Sequence, residues 1–220
     1  VHRGHLLIGL LTAVKKRLRN EAVVTDARLT QYKVSETGVA AEFTAMDGST
    51  HWVNDDLLIA ADGIHSKARK QMHPSQGQPN WGGAVMWRGI SEGLPTRTQN
   101  SFILMGSMKQ RFVCYPISKP DPKTGLSKIN WIAELTLPTH KSATQSDWNS
   151  AVEIEDFISP FNQWKFDWLD VPAVIHGTYP VYEYPMVDRD TVGSNGASQG
   201  IVGARVLGAK LKALGLTCCE

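Results

Sequence analysis

Leu6, Leu7, Leu10, Leu11, Val14 and Leu18 recur at the i, i+3, i+4, i+7 spacing of one helix face. Lys15-Lys16-Arg17 close that run, where cations suit the negative end of the helix dipole. The spacing predicts an amphipathic helix over 4–19. Residues 22–30 and 39–45, rich in Val, Thr and Ala, then read as strands, and 50–53 alternate weakly. Gly38 and Asp47-Gly48 supply the turns. Asp56 to Ala61 form a short apolar run without alternation, the pattern of a strand buried on both faces in a parallel sheet. It stops at Asp62-Gly63, and Ile64 to Met72 read as a short helix with a basic end.

The texture changes beyond the Pro/Gly/Gln-rich stretch 73–82. Segments 83–90, 101–105, 111–117, 128–137 and 174–185 have the aromatic and β-branched content of strands. Residues 147–168 carry Trp148, Ile154, Phe157, Ile158, Phe161 and Trp164 and read as one or two amphipathic helices. A last helix starts at Gly193 and takes its apolar face from Ile201, Val202, Val206, Leu207, Leu211 and Leu214. The expected class is mixed α/β (α+β). An incomplete parallel-sheet domain is drawn from 1–72 and 191–214, a β-rich domain with helices on one side occupies 73–190, and 215–220 form a tail.

Composition adds exclusions. The 220 residues are 42% hydrophobic and 20% charged, ordinary values for a globular protein able to bury a core. A net charge of +2 makes no electrostatic case for nucleic acid or an anionic membrane. No apolar run approaches the ~18–20 residues of a membrane span. Residues 6–14 could pass for the apolar part of a signal peptide, but basic residues follow where a cleavage site should stand. Cys114, Cys218 and Cys219 form neither a disulfide framework nor a metal-ligand spacing, which points to a reducing, cytoplasmic setting. His2 and His5 lack a third metal ligand and read as the polar edge of a helix start. Asp62, His65 and Ser66 lie too close in sequence for a hydrolytic relay, and no G-x-S-x-G elbow is present.

Two stretches carry candidate chemistry, each with a plainer alternative. Gly193-Ser194-Asn195-Gly196 opens a helix whose first amides could face the electron-rich edge of a cofactor, or could simply form a tight turn. Asp62-Gly63 could line a ligand crevice at a strand end, or could be a turn. No G-x-G-x-x-G fingerprint occurs.

Six segments, taken in order, resemble the FAD-dependent aromatic hydroxylases of the para-hydroxybenzoate hydroxylase fold, most nearly the salicylate hydroxylase-like enzymes and phenazine-carboxylate monooxygenases. They are Val1-His2-Arg3-Gly4-His5-Leu6, residues 58–69, Met86-Trp87-Arg88-Gly89, Tyr115-Pro116-Ile117-Ser118, residues 184–190 and residues 192–199. The resemblance runs over nearly all of 1–214. It implies a flavoprotein monooxygenase that binds FAD, uses NAD(P)H and O₂, and hydroxylates a small aromatic compound. It makes 1–72 with 191–214 a partial FAD-binding domain and 73–190 a substrate domain. The implied cofactor contacts are Arg3, Asp62, Gly63, Gly193, Ser194, Asn195 and Gly196, and no catalytic acid or base is implied. Two parts of the family pattern are missing: a Gly-rich βαβ unit before Val1, and about twenty residues between Asp190 and Thr191 that carry a Gly-Asp loop. The expectation is a truncated member with weak or absent FAD binding, or alternatively a non-catalytic interaction module.

Overall fold

The structure, a computed structural model, describes residues 2–77, 79–137, 150–188 and 196–215, with the backbone alone at 188 and 196–199. Helix α1 (Arg3–Arg17) forms as its spacing predicts, and His2 caps it by accepting the Gly4 amide at Nδ1, 3.1 Å away. None of its residues is buried, so its apolar stripe faces outward.

Strands β1 (Arg28–Ser35), β2 (Gly38–Thr44) and β3 (Thr50–Asp55) make a three-stranded antiparallel sheet. Helix α2 (Lys67–Met72) hangs on its edge through Gln71. The Gln71 side-chain oxygen accepts the Tyr32 amide and its nitrogen donates to the Tyr32 carbonyl, so one side chain satisfies both backbone groups.

The larger unit is a six-stranded antiparallel sheet in the order β5-β6-β7-β4-β11-β8. Its strands are β4 (Asn80–Gly93), β5 (Ile103–Gly106), β6 (Gln110–Pro116), β7 (Ser127–Thr136), β8 (Ser150–Val152) and β11 (Val181–Asp188). Alternate residues point to opposite faces. On one face Trp87, Phe112, Cys114, Ile129, Trp131 and Ala133 are buried. Two 3₁₀ turns, 154–156 and 159–161, and helix α3 (Val171–His176) supply the other half of that core with Phe157, Phe161, Val171 and Ile175. Trp87 and Phe157 stack with centroids 4.8 Å apart. The polar edge of Trp131 is satisfied as well, its Nε1 donating to Thr178 Oγ1 at 2.7 Å. A two-stranded ribbon, β9 (Lys165–Phe166) with β10 (Leu169–Asp170), leads into α3, and α4 (Gly196–Ala213) is the last helix.

The mixed class and the β-rich unit with its helical elements on one side are as expected, but four elements differ. The first strand, expected over 22–30, lies at Arg28–Ser35, and a 3₁₀ turn occupies Asn20–Ala22. Residues 56–61 form no strand, and Leu57 and Ile59 are about half exposed. Every strand pair among the described residues is antiparallel. An apolar run becomes a strand only beside a partner that takes its backbone hydrogen bonds, and none pairs with it here. The helix expected within 147–168 is replaced by β8 and 3₁₀ turns. Pro160 has no N–H and disfavours α geometry at Ser159, so the chain closes an i→i+3 bond from Phe161 N to Ile158 O (2.8 Å) instead. The strand expected over 174–185 begins only at Val181. Its first residues belong to α3, which Asp170 caps at the Ala173 amide (2.9 Å) with Pro172 in the first turn.

Candidate functional site

The sheet's second face is neither sealed core nor bare surface. Cross-strand register puts Met86, Arg88, Val113, Ile132 and Tyr182 on it as neighbours, all half-buried. Tyr184, opposite Met86, is buried. The pattern is legible strand by strand, since each is the odd partner of a core residue: Arg88 between Trp87 and Gly89, Ile132 between Trp131 and Ala133.

Two charges of this face neutralise each other, because Arg111 pairs with Glu134 across β6 and β7. Arg88 has no such partner. Its guanidinium carbon lies 4.4 Å from the Tyr184 ring centroid, a cation–π contact, and no carboxylate meets it among the described residues. A half-buried cation on an aromatic and aliphatic wall favours an anion or an electron-rich ring. Along the chain Arg88 stands out only as part of the Met86-Trp87-Arg88-Gly89 motif. The signal available was a charged residue at an alternating position inside a strand.

Of the residues expected at a flavin, Arg3, Asp62, Gly63 and the backbone of Gly196 are described. Arg3 begins α1 and is exposed. Asp62 Oδ2 accepts the amides of Lys67 (2.7 Å) and Ala68 (3.3 Å), and Ser66 Oγ accepts that of Arg69 (2.9 Å). Partial burial pushes the Asp62 carboxyl up, but the Ser66 hydroxyl and the two amides outweigh it, and the net pKa lies below the ordinary carboxylate value. Asp62 and Ser66 thus cap α2. Gly63 has φ +78°, the left-handed region that favours glycine, with open space where a Cβ would stand. Its carbonyl accepts Ser66 N (3.1 Å) and Arg69 Nη2 (3.0 Å). Gly193, Ser194 and Asn195 lie outside the described residues, and Gly196 is the first residue of α4. No hydrogen bond or ion pair joins Arg3 to the Asp62 turn among the described residues.

Arg3, Asp62 and Gly63, the part of this set whose surroundings are described, do not by themselves make a cradle for FAD. A phosphate-and-ribose cradle needs converging donors beside a sheet end, and here the Asp62 carboxylate is engaged with helix amides while 56–61 stand outside any sheet.

No protein-family model matches the chain. It is 31% identical over 235 residues to phenazine 1,6-dicarboxylic acid hydroxylase PhzS of Lysobacter antibioticus, a match that takes in 96% of this chain and 58% of that protein. Its fold is similar to Klebsiella pneumoniae HpxO, solved with FAD and uric acid (TM-score 0.57, 19% identity, 82% of this chain and 42% of that one). It is likewise similar to a salicylate hydroxylase solved as a substrate complex (TM-score 0.62, 17% identity, 87% and 47%). The chain therefore spans a little over half the length of the curated relative it matches. Among the described residues no helix is long and apolar enough to cross a membrane.

Proposed function

We propose that this chain, a relative of the FAD-dependent aromatic hydroxylases, supplies the substrate-facing wall of an aromatic monooxygenase. The ring lies on the second face of the six-stranded sheet, and Arg88 holds its anionic substituent. One observation carries this reading: Arg88 is a half-buried cation of that face with no carboxylate partner among the described residues, set among side chains suited to a flat ring. Hydrogen bonds to a charged group contribute about 1.5–3 kcal/mol each, so an arriving carboxylate would be both positioned and retained. The compound named for PhzS is a dicarboxylic acid, which agrees with this choice.

The redox chemistry of FAD-dependent hydroxylases belongs to their flavin, for which the described residues of this chain supply no cradle. The work of the described residues is narrower. Arg88 binds and orients, Tyr184 holds the guanidinium in place from below, and Met86, Ile132 and Tyr182 exclude water from the ring.

The test is a benzoate titration followed by ligand-observed NMR, with benzamide as the neutral comparator. Benzoate should bind more tightly than benzamide, and Arg88→Met should weaken benzoate about tenfold or more while sparing benzamide. Equal benzoate binding by the variant overturns the proposal. The isolated chain should carry no stoichiometric flavin absorbance.

A second reading, a non-catalytic interaction module, draws on a different observation. Leu7, Ile8, Ile201 and Val202 of α1 and α4 are each more than half exposed. That reading requires self-association without flavin, measured by sedimentation.

A further inference from the structure

Glu134 stands between two arginines on the second face of the six-stranded sheet. Directly across β6 it faces Arg111, and directly across β4 it faces Met86. Arg88 pairs with Ile132, two residues further along each strand, so Arg88 and Glu134 are diagonal neighbours on one face. Diagonal positions lie roughly 7–8 Å apart, within reach of long side chains. Yet Glu134 pairs with Arg111. Its Oε1 accepts both Arg111 Nε, at 3.1 Å, and Arg111 Nη2, and no hydrogen bond to its Oε2 occurs among the described residues.

Arg111 is what holds that arrangement. The Glu134 side chain is only 12% exposed and that of Arg111 31%. A carboxylate so far out of water needs a cation beside it. Among the neighbours of Glu134 within the strands, the cations are Arg111 and Arg88. Lys109, in the turn before β6, is exposed, and water screens its charge. Without Arg111 the carboxylate would turn to Arg88, and the guanidinium now lying on the Tyr184 ring would carry a built-in anion. An arginine so neutralised attracts an incoming carboxylate only weakly.

We propose that Arg111 is a positioning residue for anion selection: by holding Glu134 it keeps Arg88 free, and the face thereby prefers anionic rings to neutral ones. The inference rests on the reading of Arg88 given above, and it assigns Arg111 no contact with the ligand.

Titration of the full chain with benzoate and with benzamide, followed by ligand-observed NMR, tests it. Arg111→Met should weaken benzoate about five- to tenfold and leave benzamide unchanged, so the preference for the anion collapses. Adding Glu134→Gln to that variant should restore benzoate binding to within about twofold of the parent chain. A loss of packing alone would lower both ligands together, and removing a charge would not reverse it. Arg111→Gln serves where Arg111→Met does not fold, since it keeps a donor for Glu134 and deletes only the charge. The inference fails, with the reading of Arg88 intact, if Arg88→Met weakens benzoate while neither Arg111 variant does, or if the double variant stays weak. If the parent chain shows no preference for benzoate over benzamide, both fail.

Discussion

Gly89→Ala probes the joint that holds the helical layer to the sheet. Gly89 sits in β4 opposite Trp131, and a Cβ added there would lie 2.2 Å from Thr178 Cγ2 and 2.9 Å from Trp131 Cζ2. Those two side chains are also the donor and acceptor of the buried Trp131–Thr178 hydrogen bond. The alanine methyl must therefore push apart the pair that the fold keeps together. Overpacking of a core costs about 1–3 kcal/mol, and the strained or broken hydrogen bond adds about 1 kcal/mol. A loss of about 2–4 kcal/mol is expected from urea unfolding of the variant. The structure also names the compensating change. Thr178→Ser deletes the methyl at 2.2 Å and keeps the hydroxyl that accepts from Trp131. The double variant should recover about 1–2 kcal/mol in a double-mutant cycle, though not all, because the Trp131 contact persists. A Gly89→Ala variant within about 0.5 kcal/mol of the parent, a typical surface effect, would refute the reasoning. So would a cycle with no coupling to Thr178.

Two further outcomes follow from the ionisable groups. The Asp62 pKa is lowered in the folded state, so its contribution is present above the ordinary value of 3.8 and is lost as pH falls through the lowered one. Asp62→Asn should flatten that acid limb of a stability–pH profile, and an unchanged limb would show that the α2 cap does not titrate with folding. Burial pushes the Cys114 thiol up to about 11. Site-resolved mass spectrometry should therefore find Cys114 unalkylated by iodoacetamide at pH 8 in the folded chain and alkylated after denaturation.

The sheet strands were legible because their signal is local. The alternation from Ser127 to Ala133 follows from the pleat and needs no knowledge of what covers each face. The same holds for α1, whose stripe and basic end lie within fifteen residues. The run 56–61 misled for the converse reason: its apolarity anticipated a sheet whose other strands are not among the described residues. The aromatics of 154–164 have helical spacing, but Pro160 favours a 3₁₀ turn at 159–161 over a continuous helix. Asp62-Gly63 was recognised as a junction, and the choice between ligand crevice and turn hinged on where the carboxylate pointed. It points to the amides of α2.

By itself, then, the amino-acid order pointed to the mixed class, the first helix, most strands of the larger sheet and the resemblance to aromatic hydroxylases. All of these rest on periodicity and on ordered short segments. Only the tertiary structure decided which charges are paired. Arg111 and Arg88 look alike along the chain, and the difference between them is that β7 brings Glu134 to one and no carboxylate to the other. It likewise left the Ser127 hydroxyl buried without a partner among the described residues. Pairing and satisfaction depend on atoms that are remote in sequence and adjacent in space, and no local pattern encodes that distance.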